Sequence, residues 1–384
     1  MKTIKRMGGL IGQGTVGVLL ASTLIGCSLW GGGTEKPKPA ELGANVPVLG
    51  VRQAWAARIG GLKDMPLMVH VQGNTISVGS VDGTVAGIDA RTGGDLWRIS
   101  LDEPLAAGVG SDGKWTAVVS SRNEIVVLEA GRELWRKRLS SQVYTAPLVA
   151  GARIFVLGAD RSVTAFDAAN GVRLWNVARA GEPLVLRQPG VLLAVGDTLV
   201  TGSSGRLVGL NPDNGVVRWE APLASSRGTN DVERLVDLVA PVSRVDSSVC
   251  VRAFQMAVGC VNVGRGTVDW VQKASGGQGV QGTEDLVVGT ESNGVVVAWS
   301  RRDGRKLWST DRLQYRKLTA PLVLGRSVVI GDESGLLHFL SRDDGAPLNR
   351  IQTDGSGITV TPVVAADTLI VVTRNGSVFG YRPD

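Results

Sequence analysis

Along most of this chain, apolar and polar positions alternate in short runs of four to six residues, broken at regular intervals by Gly, Asn and Asp. One stretch reads Thr145-Ala146-Pro147-Leu148-Val149, Arg153-Ile154-Phe155-Val156-Leu157-Gly158, Ser162-Val163-Thr164-Ala165-Phe166-Asp167, then Asn170-Gly171 and Leu174-Trp175. Such runs predict β-strands, and the turn residues between them predict hairpins. The plan recurs at Asp197–Gly202 with Asn214-Gly215 and Trp219, and at Asp285–Gly289 with Asp303-Gly304 and Trp308. Most copies end on a tryptophan: Trp55, Trp97, Trp135, Trp175, Trp219, Trp270 and Trp308, at intervals of 42, 38, 40, 44, 51 and 38 residues. A period near 40 is the spacing of four-stranded propeller blades.

Seven copies run from Val69 to Asn349, and an eighth is split. Residues 361–381 give three strands of it, and Val51-Arg52-Gln53-Ala54-Trp55 supplies a fourth from the other end of the chain. The predicted fold is therefore all-β, an eight-bladed propeller of four-stranded antiparallel blades, closed by an N-terminal strand that leaves no open blade face. One large Trp per blade suits packing between neighbouring blades better than ligand binding. Asn349 stands where the seventh full copy should have Trp, which predicts a less well filled contact there. The longest interval holds an insertion, 225–237, on a loop, and propeller loops on one face are where binding usually resides.

Composition agrees: there are 52 Gly in 384 residues, and 43% of the chain is hydrophobic, enough to bury a core. The formal charge of +6 includes Lys2, Lys5 and Arg6. These form the positive start of a segment that continues into an apolar stretch, Leu10 to Ile25, as in an exported signal peptide. Leu24-Ile25-Gly26-Cys27 resembles the bacterial lipobox, which implies cleavage before Cys27 and a diacylglycerol and N-acyl chain (palmitate) on that residue. Acyl chains hold a protein on a bilayer without a transmembrane helix, and Ser28 in the next position resembles sorting to the outer membrane. Without the leader the side chains carry about +3, and no basic cluster points to nucleic acid. The organisation read from this is a signal peptide at 1–26, an acylated Cys and flexible tether at 27–46, and the propeller at 47–384. Cys250 and Cys260 remain either one disulfide or two buried thiols. Alignment to the next repeat, where they match Val288 and Ala298, places them one residue out of direct opposition.

Catalytic motifs are missing: no His-Glu-x-x-His, no Cys-x-x-Cys, no Gly-x-Ser-x-Gly and no Walker-type loop. The two histidines are His70 and His338, and His338 lies in a strand run that suits a packed structural role. No metal site and no cofactor are expected. The enzymatic alternative comes from the repeat: Ala165-x-Asp167-x-x-Asn170-Gly171-x-x-Leu174-Trp175 resembles that of periplasmic quinoprotein dehydrogenases, which are also eight-bladed. Their pyrroloquinoline quinone and Ca²⁺ chemistry depends on a vicinal Cys pair, which this shorter chain lacks.

An exported, lipid-anchored, eight-bladed propeller with this repeat resembles the BamB family, lipoprotein subunits of the outer-membrane β-barrel assembly machinery. The resemblance spans the chain and is most specific at Tyr315–Pro321, Val329–His338 and Asp231–Asp237. It implies a non-enzymatic scaffold on the periplasmic face of the outer membrane, a monomer within a hetero-complex. That scaffold would bind the POTRA domains of BamA, assist folding and insertion of β-barrel proteins, and offer sheet edges to unfolded outer-membrane chains by strand addition. Two loops would carry the BamA contact. Leu184-Val185-Leu186-Arg187 looks like the family's Leu-x-Leu-Arg, with Leu184, Leu186 and Arg187 as contact residues, unless the alternating leucines belong to an ordinary strand. In the second loop Asp237 matches the first of two acidic positions, and Val239 departs from the second.

Overall fold

The computed structural model describes residues 37–179, 184–225, 230 and 235–384. The expected signal peptide, Cys27 with the first part of the tether, and most of the 225–237 insertion lie outside the described residues.

Strands pair into eight four-stranded antiparallel sheets. Seven are consecutive in sequence, blades 1 to 7, at 70–100, 110–138, 148–177, 192–222, 238–273, 280–310 and 322–352. Blade 8 takes three strands from 363–383 and its outermost strand from Val51–Arg58. That strand pairs antiparallel with Ser377–Pro383, from Val51 opposite Pro383 to Arg58 opposite Ser377. The innermost strands of blades 1 and 8, His70–Gln72 and Val363–Ala365, touch, so the ring is closed.

Within each blade the two middle strands are buried on both faces because blades stack against one another. Ile76, Val78, Val85 and Ile88 in blade 1 are all inaccessible. The outermost strands have one face in solvent, and Leu96, Leu134, Leu174 and Leu307 lie exposed along them. The core is thus a ring of inter-blade layers.

The tryptophans close those layers by a repeated contact. Each indole of blade n lies against the glycine of the turn between the third and fourth strands of the next blade: Trp55 on Gly93, Trp97 on Gly131, Trp135 on Gly171, Trp175 on Gly215, Trp219 on Gly266, Trp270 on Gly304 and Trp308 on Gly345. All seven glycines have positive φ, between 68° and 75°. A β-carbon at Gly171 would fall 2.7 Å from the Trp135 ring, so both backbone conformation and space demand glycine. Five indoles also donate N–H to a carbonyl of that turn: Trp55 to Ala90, Trp135 to Ala168, Trp175 to Pro212, Trp270 to Arg301 and Trp308 to Arg342, at 2.7–3.0 Å.

Asn349 breaks the series for a topological reason. The turn that would receive its indole belongs to blade 8, and there the third strand ends at Pro383 while the fourth begins at Val51. Its amide instead donates to the Leu49 carbonyl at 2.8 Å. Residues 40–49 run along blade 7: Ala40 N–H donates to Gln314 O, Val48 N–H to Leu348 O, and the Arg350 guanidinium to Gly43 O. Residues 40–46 of the expected tether thus lie on the propeller, because Arg316, Asn349 and Arg350 supply donors to the 40–49 segment and its Leu42 and Leu49 pack against the apolar core.

Arg316 anchors the start of this segment. It donates to Ala40 O at 3.0 Å and to Asp332 Oδ2 at 3.1 Å, and His338 Nε2 lies 3.0 Å from the same oxygen. His338 is buried, in the structural role its strand pattern suggested. Burial alone would raise the Asp332 pKa, but His338, the Ser334 hydroxyl and the Leu336 amide together hold it well below the usual carboxylate range.

Cys250 and Cys260 form a disulfide and pair directly across the hairpin, Cα atoms 3.9 Å apart. The expected one-residue offset is wrong. Ala253 pairs with Ala257, so the hairpin is centred on Gln255, five residues from each cysteine; Val288 and Ala298 are likewise directly opposed.

Candidate partner-binding face

In a four-stranded blade the turn between strands 2 and 3 lies on the same face of the ring as the loop to the next blade. The loops around Leu184–Gly190 and Leu235–Ala240, after blades 3 and 4, therefore share a face with the Gly158–Ser162 turn of blade 3. Leu184 to Arg187 belong to no strand, so the ordinary-strand alternative does not hold. Leu184 is 38% exposed, Leu186 is half-buried and Arg187 is exposed.

Asp237 does something different from what its sequence position suggested. Its carboxylate is largely buried, accepting from the Leu186 N–H at 2.9 Å through one oxygen and from Arg161 Nη2 at 3.1 Å through the other. The same Arg161 nitrogen donates to the Leu184 carbonyl at 3.1 Å. A buried ion pair thus grips the leucine loop from behind by its backbone and leaves the Leu184 and Arg187 side chains exposed. Further down, Gly190 bridges to Val239, Ala240 N–H donates to Pro189 O, and Gly190 N–H donates to the Thr145 hydroxyl. The structure brings Leu184, Leu186 and Asp237 together and puts Arg187 beside them. Val239, which departs from the family's second acidic position, is buried and pairs with Arg252 of the neighbouring strand.

Arg161 was missed by sequence reasoning. It occupies a two-strand turn at φ of 63° and is 7% exposed, features that composition does not reveal. The weak signal available was an Arg between Asp160 and Ser162, in a turn where this repeat otherwise favours small residues.

The crevice behind the loop has a volume of about 50 Å³, far below the several hundred Å³ of a cofactor pocket. Among the described residues no group of three or more His, Cys, Asp or Glu side chains is placed to hold a metal ion. What this face offers is a small apolar projection with a cation beside it on a rigid frame, the makings of a protein-contact hot spot.

Comparison with known proteins places the chain. A family model described as "Outer membrane protein assembly factor BamB" matches residues 81–310. The protein of that name from Burkholderia pseudomallei is 36% identical over 348 residues, covering 90% of this chain and 91% of its own. The crystal structure of BamB from Moraxella catarrhalis superposes with a TM-score of 0.78 at 23% identity, covering 86% of this chain and 99% of that one. A quinohemoprotein alcohol dehydrogenase from Comamonas testosteroni superposes at 0.65 with 13% identity, over 87% of this chain and 76% of that one, a likeness of fold alone. The relatives that match in sequence are named as assembly factors and not as enzymes, and with a third of its residues shared along nine-tenths of its length this chain belongs to the BamB family.

Proposed function

We propose that this protein is a non-enzymatic scaffold of outer-membrane protein assembly, and that the loop at Leu184, Leu186 and Arg187, held by Arg161 and Asp237, docks it onto the periplasmic POTRA domains of BamA. The observation that carries this reading is the exposed Leu184–Arg187 loop gripped from behind by a buried ion pair. Burying Leu184 and Leu186 against a partner contributes apolar contact, and Arg187 can meet carbonyl or carboxylate groups. In this reading acylation of Cys27 keeps the scaffold at the periplasmic face of the outer membrane.

Leu184→Ala combined with Arg187→Glu should abolish copurification of BamA from detergent-solubilised envelopes, with far-UV circular dichroism and melting temperature nearly unchanged. Undiminished recovery of BamA with this variant would remove the loop from the interface. Asp237→Asn should weaken the same copurification indirectly, by loosening the loop, and so also lower protection of the Leu186 amide from hydrogen exchange.

A further inference from the structure

The junction between blades 7 and 8 lacks the indole that closes the other seven. Opposite the Trp position the other blades carry a smaller residue, such as Gly87, Ala165 or Gly209; blade 7 carries Phe339 opposite Asn349. The phenyl ring takes up part of the missing volume. A cleft of about 470 Å³ remains, with Phe339, Leu324, Leu369, Tyr381 and Val51 in its walls and Pro383 at its margin.

The chemistry of an occupant is written into the rest of the ring. Gly380 faces Trp55 as Gly209 faces Trp219, so Pro383, three residues further on, stands in register with Pro212, whose carbonyl accepts the Trp175 N–H. The cleft therefore combines an apolar slot with a carbonyl at the place where indole N–H groups are received elsewhere in this molecule. Turns between strands 1 and 2, with Gly50 just before the Val51 strand and Pro383 at the end of its partner strand, border it, which puts it on the opposite face from the Leu184 loop and four blades away.

We propose that this cleft is a second protein-contact site, which takes an aromatic side chain, tryptophan above all, from an extended segment of a partner protein. The bound ring repeats in trans the contact that seven tryptophans make in cis. Because the two sites lie on opposite faces, both can be occupied together.

The test uses the full chain and a short soluble peptide with one central tryptophan, alongside its Trp→Ala twin, in ligand-observed NMR and calorimetry. Saturable binding is expected for the first peptide, and binding at least tenfold weaker for the second. Phe339→Ala with Asn349→Trp restores an indole in cis and should abolish peptide binding while melting no lower than the parent. Leu324→Arg, at a half-buried wall, should abolish binding as well and serves if the double variant does not fold. Equal binding of the two peptides, no saturable binding into the millimolar range, or binding unaffected by Leu324→Arg would overturn the proposal. Binding that emerges only after Trp30→Ala would assign the cleft to this chain's own segment, and self-association abolished by Leu324→Arg would assign it to a second copy; either result overturns a partner in trans.

Discussion

At the scale of single residues, the charges inside this propeller are structural commitments. Arg252 is fully buried in blade 5, and among the described residues it pairs with Glu291 of blade 6 at 3.0 Å. Burial lowers the Arg252 pKa and Glu291 offsets part of that effect. Glu291→Gln leaves a cation without its counter-charge and should cost about 3–5 kcal/mol of unfolding free energy in urea titrations. Asp332 makes a prediction about acid. Its pKa in the folded protein is depressed, so it adds stability that is fully present above the unfolded-chain value of about 4 and is lost as pH falls toward the folded value. Stability measured from pH 6 down to pH 2 should therefore fall more steeply in the parent than in Asp332→Asn. Equal slopes would mean that the carboxylate's partners do not favour its charged form.

At the scale of elements, the indole-on-glycine contact is the unit that repeats. Trp135→Ala removes a large ring from the junction between blades 2 and 3 and should cost about 3–5 kcal/mol. Gly171→Ala attacks the same contact from the other side, through strain at φ of 71° and a clash with the ring. In a double-mutant cycle its cost should be smaller in the Trp135→Ala background, with a coupling of about 0.5–3 kcal/mol, whereas strict additivity would show that the two residues do not meet. The disulfide closes a hairpin of only ten residues' separation, and replacing both cysteines with Ala should cost up to about 3 kcal/mol, read from equilibrium unfolding. Its pairing was not legible, since the repeat alignment matched the cysteines correctly to Val288 and Ala298 but does not say which residue the turn is centred on, and that sets the register in both blades.

At the scale of the whole molecule, the blade number, the split eighth blade and the Trp positions were legible because each repeat carries its own period and turn chemistry. The contact loop was legible only in part. Leu184, Leu186 and Arg187 could be picked out by pattern, but the pairing of Arg161 with Asp237 joins residues 76 apart, across a blade, and no local period encodes it. The same limit applies to Asn349: the missing Trp could be seen in sequence, whereas the reason, a receiving turn replaced by two strand ends far apart in sequence, needed the closed ring. That closure also has a mechanical side. Any load arriving through the chain upstream of Pro39 must first peel residues 40–49 from blade 7, breaking the bonds of Ala40, Gly43 and Val48 in turn. Only then does it reach the Val51–Arg58 strand, whose loss would open the ring. The short segment on blade 7 acts as a strain relief: it spends a pull on replaceable surface bonds before the seam that holds eight blades in a circle is loaded.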